Sequence, residues 1–100
     1  MGEIIKMVFT KDELARIQVA NDSEISVDVH GLDRAHCKKF LRNLINVNRK
    51  GAVIRVIHGY NNGTRLRDMI RYDNVISRRI TGYETNEQNA GVTYLQVAGM

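Results

Sequence analysis

The sequence contains no tryptophan and no proline, and a single cysteine stands among its 100 residues. Cys37 therefore has no partner for an internal disulfide, which fits a reducing compartment and makes the cytoplasm the expected location. Nowhere do eighteen apolar residues run together, which excludes a helical membrane span and leaves no membrane partner to expect. Glu3 and Lys6 interrupt the short apolar stretch at the start and no small-residue cleavage site follows, so a secretory leader is not expected. Aromatic residues make up only 6% of the chain, and the spacing of Tyr60, Tyr72, Tyr83 and Tyr94 suggests no stacking platform for bases. What is present is 43% hydrophobic residues, enough for one packed core and too little for two.

Charge is unevenly distributed. Residues 1–33 carry three basic and seven acidic side chains, a balance of −4, whereas residues 34–79 carry twelve basic and two acidic, a balance of +10. Such a cationic segment attracts polyanions, and phosphate contacts supply most of the affinity of nucleic-acid binders. A solvated basic surface that only keeps a small protein soluble would have the same composition. Motifs must decide between the two.

Residues 25–30, Ile-Ser-Val-Asp-Val-His, alternate apolar and polar as a half-buried strand does. Asp33 is a good helix N-cap, and Cys37, Phe40, Leu41, Leu44 and Ile45 then recur at spacings of three and four, the stripe of an amphipathic helix. After the polar break 48–51, Ala52 to His58 is a β-rich run, so strand, helix and strand imply a right-handed crossover and a parallel pair. Leu66, Met69 and Ile70 mark a second, shorter helix. Val75 to Glu84 and Val92 to Val97 read as two further strands, in an antiparallel hairpin. The expected order is β-α-β-α-β-β, an α/β fold with a mixed four-stranded sheet and two main helices. Residues 1–24 form an extension to the domain at 25–100; Thr10 and Glu13 resemble a capping box, predicting a short helix over 11–20 with Leu14 and Ile17 turned inward.

Side chains two apart in a strand share a face, so Asp28 and His30 project together. His58 closes the next parallel strand, and α/β folds place ligands at the carboxyl ends of such strands. The loop Gly59-Tyr60-Asn61-Asn62-Gly63-Thr64 follows and opens the second helix. Gly and Asn tolerate the backbone that aims successive N–H groups at an anion, making Gly59, Asn61, Asn62, Gly63 and Thr64 a phosphate cradle beside Arg65 and Arg67. A histidine at a strand end is also commonly just hydrogen-bonded structure, and Asn-Asn-Gly is ordinary turn chemistry. His58 reads first as the entrance to the loop and second as a catalyst. His36 has no partner visible in sequence, and Cys37 lies on the buried stripe.

Val27-Asp28-Val29-His30-Gly31-Leu32, then Ile57-His58-Gly59 with its loop, then Asn89-Ala90-Gly91-Val92-Thr93, together resemble the small MutS-related (Smr) domain over residues 25–97. The resemblance implies a two-layer α+β sandwich and a nuclease that acts on DNA or on messenger RNA at ribosomes. Its acid and histidine fall on Asp28 and His30, and its glycine motif on His58 to Gly63. The middle glycine of that motif is Asn61 here, and Asn is the residue that best replaces glycine at positive φ.

A two-metal nuclease needs several carboxylates, and the expected cleft offers Asp28 with only distant companions, so no metal and no other cofactor is expected. Two histidines and an acid suit acid–base cleavage of RNA or nicking of DNA, with catalytic roles for Asp28, His30 and His58. The other reading is a non-catalytic module that holds nucleic acid or the ribosome by phosphate contacts and shape. Neither reading calls for a small-molecule ligand.

Overall fold

The computed structural model describes residues 8–21, 23–59, 64–73 and 76–100. Helix α1 (Lys11–Ala15) is followed by strands β1 (Ile17–Asn21) and β2 (Glu24–Asp28), helix α2 (Arg34–Val47), strand β3 (Ala52–Ile57), helix α3 (Arg65–Tyr72) and strands β4 (Ile80–Thr85) and β5 (Val92–Val97). One five-stranded sheet runs in the order β1-β2-β3-β5-β4. The β2–β3 pair is parallel, as the strand-helix-strand pattern requires, and the other pairs are antiparallel.

The fold class expected from sequence holds, with one strand more than the four anticipated. Thr10 and Glu13 do form the capping box, the Glu13 amide donating to Thr10 Oγ1 (3.1 Å) and the Thr10 amide to Glu13 Oε1 (2.9 Å). The helix nevertheless stops at Ala15 and not at residue 20, because Ile17 to Asn21 leaves it to pair with β2. The free edge of β2 offers a row of backbone partners, and β-branched Ile17 and Val19 alternate with polar Gln18 in the period a strand needs. The strand expected over 75–84 begins only at Ile80. Ser77 closes a turn before it, accepting from the Arg79 amide on Oγ and from the Ile80 amide on its carbonyl.

The core lies between the helices and one face of the sheet. Val27, Ile54, Val56 and Leu95 from the strands meet Cys37, Phe40, Leu41, Leu44 and Ile45 from α2 and Ile70 from α3. Phe9 packs its ring edge-on to Phe40 at 5.6 Å, and Leu14 and Ile17 lie against the same cluster. Burial pushes the Cys37 thiol up to about 12, so it acts as a packing group. The opposite sheet face carries polar residues such as Ser26 and Arg55, joined by a 3.3 Å hydrogen bond. Two layers thus leave the carboxyl ends of β2 and β3 open at one side.

Candidate functional site

β2 ends at Asp28, and the Val29 amide extends its pairing by donating to the Ile57 carbonyl (2.9 Å). The chain then turns through Gly31 at φ +80° into Asp33, whose side chain caps α2 by accepting from the His36 amide (2.7 Å). The alternation of the strand keeps Asp28 and His30 on one side. Asp28 Oδ1 accepts from the His30 backbone N–H (3.1 Å) and also pairs with His30 Nδ1. With Nδ1 donating to the carboxylate, the lone pair of Nε2 is the one presented outward. The His30 side chain is 66% exposed and borders a groove, so this nitrogen is accessible to a ligand.

Arg16, which sequence reasoning passed over, secures this strand end. Its Nη1 donates to the carbonyls of both Asp28 and His30 (3.1 Å each), and its Nε pairs with Asp12 at 3.0 Å. The guanidinium thereby fixes the backbone on either side of Val29. The only sequence signal was the spacing of Asp12 and Arg16 by four, which any helix surface pair shares.

His58 lies in a different environment. It is only 5% exposed, and both ring nitrogens are engaged: Nδ1 donates to the Gly59 carbonyl and Nε2 accepts from the Thr93 hydroxyl, each at 2.8 Å. Thr93 Oγ1 in turn accepts from Arg71 Nε (2.9 Å). This chain of bonds fixes the His58 ring, and in the neutral imidazole Nε2 is the acceptor. Burial lowers its pKa below the ordinary histidine value and the cations of Arg71 and Arg67 push it the same way, against the Gly59 carbonyl. The backbone is tied as firmly, since the His58 and Gly59 amides both donate to the Gly91 carbonyl (2.9 and 3.0 Å). The Asn89-Ala90-Gly91-Val92-Thr93 segment therefore clamps the start of the glycine loop.

Gly59 has φ +75°, and a Cβ added there would lie 3.6 Å from His30 Cβ, so the ends of the two strands meet. Because its own amide is spent on Gly91, Gly59 turns the chain and offers the groove no donor. Asn61, Asn62 and Gly63 lie outside the described residues. Thr64 takes the N-cap position of α3, is exposed, and makes no side-chain cap bond. Arg65 is also exposed and borders the groove, whereas Arg67 is half-buried and pairs with Asp68 at 3.1 Å.

The groove runs between the start of α2 and the length of α3, an open trough of about 1410 Å³ with His30, Arg34, Lys38, Thr64, Arg65 and Tyr72 along its walls. Lys38 and Asp73 form an ion pair across it at 3.1 Å. No cluster of three or more metal-ligating side chains occurs among the described residues. Away from the groove, His36 has the partner that sequence could not show: its Nε2 meets Glu13 Oε2 at 2.9 Å. Burial raises the pKa of Glu13, but the Thr10 amide, the His36 ring and the Thr10 hydroxyl outweigh it, leaving the carboxyl below its ordinary value.

No helix among the described residues is long and apolar enough to cross a membrane. No protein-family model matches the chain, and no curated protein matches it. A solved structure does: the crystal structure of the Smr domain of Thermus thermophilus MutS2 is similar over 72% of this chain and 95% of that one, at 22% identity and a TM-score of 0.60. A likeness at that identity is one of fold. The spaced motifs and the three-dimensional likeness point the same way, and the chain has an Smr-like fold.

Proposed function

We propose that this domain binds nucleic acid along the groove at the carboxyl ends of β2 and β3 and cleaves RNA there by acid–base chemistry centred on His30. The observation that carries the reading is the Asp28–His30 pair, in which the carboxylate orients an exposed imidazole at the edge of a groove flanked by Arg34 and Arg65. The Smr resemblance supports the class of partner, and a trough of about 1410 Å³ is larger and more open than a small-molecule pocket.

In this reading His30 Nε2 takes the proton of a ribose 2′-hydroxyl. The freed oxygen attacks the adjacent phosphorus, the bond from phosphorus to the 5′-oxygen breaks, and that oxygen leaves with a proton from solvent. The products are a 2′,3′-cyclic phosphate and a 5′-hydroxyl. Asp28 holds the tautomer and stabilises the imidazolium once it forms. Loop residues Asn61, Asn62, Gly63 and Thr64, with Arg65 and Arg67, bind the phosphate, and Gly59 gives the loop its turn. His58 serves as a positioning residue, since neither of its nitrogens is open to a substrate.

That last observation favours one alternative. Of the two histidines that line the groove among the described residues, His30 alone has an exposed ring, so no second open imidazole stands there to protonate the leaving group. A binding module would use the same groove, to hold RNA, DNA or a ribosomal surface, without cutting.

The test is incubation of the protein with end-labelled RNA in the presence and absence of EDTA, beside a His30→Ala variant. Chelator-insensitive cleavage that leaves cyclic phosphate ends and falls about 10²- to 10⁴-fold in the variant is expected. Loss of activity with EDTA would overturn the mechanism. Equal binding by both proteins with no cleavage by either would establish the module.

A further inference from the structure

Few aromatic side chains are available in this chain, and the fold disposes of most of them. Phe9 and Phe40 are buried, and Tyr94 is half-buried with its hydroxyl accepting from Asn86 Nδ2 (3.2 Å). Tyr72 and Tyr83 are the aromatic residues left exposed among the described ones, and they are neighbours. Tyr72 ends α3, and Tyr83 sits opposite Leu95 in the β4–β5 ladder, which turns it toward the helix layer. Their rings meet edge to face, with centroids 6.0 Å apart and planes at 87°.

Arg71 fixes the pair to the site. Its guanidinium carbon lies 5.7 Å above the Tyr83 ring, while its Nε donates to Thr93, the residue that bonds His58. One face of Tyr83 is thus occupied by a cation, and its ring stands nearly perpendicular to that of Tyr72. Tyr72 keeps 63% of its surface exposed and lines the same groove as His30. Helical rise puts it about 10 Å along the groove wall from Arg65. The tyrosines had no evident relation in sequence; the β4 register brings them together.

We infer that Tyr72, backed by Tyr83 and Arg71, is a stacking site for an unpaired base, so that the groove takes a single-stranded segment of nucleic acid. This rests on the reading of the groove as a nucleic-acid site and names the form of strand it accepts. An exposed aromatic face flanked by guanidinium suits any base, because every base has a π-face. A duplex keeps those faces stacked on one another and out of reach. Two tyrosines are also far smaller than the roughly 800 Å² per partner that a stable protein interface buries.

The experiment measures binding of a short oligouridylate, an oligothymidylate of the same length, an abasic strand carrying the same phosphates, and a blunt duplex. Tyr72→Ala is expected to weaken both base-carrying strands by about tenfold while abasic-strand and duplex binding stay unchanged. The slope of affinity against salt stays the same, since no phosphate contact is lost. Tyr72→Phe keeps the ring and keeps the affinity. Weakening confined to one of the two base-carrying strands would still place a base on Tyr72 and would add that the sugar selects it.

Unchanged affinity for both base-carrying strands in Tyr72→Ala, or an equal loss on the abasic strand, would overturn the stacking site and leave the proposed function standing. A dimer that dissociates in Tyr72→Ala, with oligonucleotide affinity untouched, would mark the pair as a protein contact and overturn it as well. Failure of the unaltered protein to bind any of the four would remove the nucleic-acid reading itself.

Discussion

Asp28, His30 and His58 are close in the fold but differ in what their surroundings let them do. Asp28 and His30 are two residues apart on one strand end, so their pairing follows from local geometry and was legible in the sequence. His58 depends on Thr93, 35 positions later, and on Arg71 beyond it, and no local pattern discloses that both its nitrogens are taken. Thr93, wholly buried, is accordingly the residue to change. Thr93→Val keeps the shape but leaves the acceptor nitrogen of His58 and the Nε–H of Arg71 without their partner. The expected cost is about 1–3 kcal/mol of folding stability, measured by urea denaturation. Cleavage should fall less in this variant than in His30→Ala, because the loss acts through the position of the loop. A drop equal to that of His30→Ala would give His58 a direct part in the chemistry.

At the scale of elements, the segment before β2 shows where sequence and structure part. Leu14 and Ile17 at a spacing of three, behind a true capping box, match a helix over 11–20 as well as they match what forms. The edge of β2 decides the outcome, and that edge belongs to tertiary structure. The two main helices, the parallel pair and the final hairpin were legible because each repeats its period over many residues. What ties α1 to α2 is the Glu13–His36 pair, and it carries a pH signature. The folded-state pKa of Glu13 is depressed, so its contribution is present above the unfolded value near 4.5 and is lost as pH falls through the folded one. Glu13→Gln should therefore destabilise the protein at neutral pH, by about 1–3 kcal/mol for a buried charge-assisted bond. The difference from wild type should shrink as the medium is acidified below pH 4.5, read from denaturation midpoints at a series of pH values. A difference that stays constant with pH would show that Glu13 acts only through packing.

For the whole molecule, the sequence showed a surplus of cations but not their duties. Of the twelve basic residues in 34–79, several serve the fold. Arg79 donates to the carbonyls of Ile45, Lys50 and Ala98, Arg42 to that of Ile76, Arg55 to Ser26 and Arg71 to Thr93, and Lys38 pairs with Asp73. The charge left to meet a polyanion is thus smaller than +10 suggests: Arg34 and Arg65 are exposed at the groove, and Lys39, Arg49, Lys50 and Arg78 are exposed away from it. Salt dependence separates the two duties. Each phosphate neutralised contributes about −0.7 to the slope of log affinity against log salt for a single strand. Arg65→Ala should make that slope shallower by about one contact and weaken all strands alike, with stability unchanged. Arg79→Met should do the reverse, lowering the denaturation midpoint while the slope of the folded protein is preserved, because its guanidinium is bound to backbone oxygens and not to the ligand. If Arg79→Met flattened the slope and Arg65→Ala did not, the nucleic acid would run along the far end of the sheet, and the groove beside His30 would lose its claim to be the binding track.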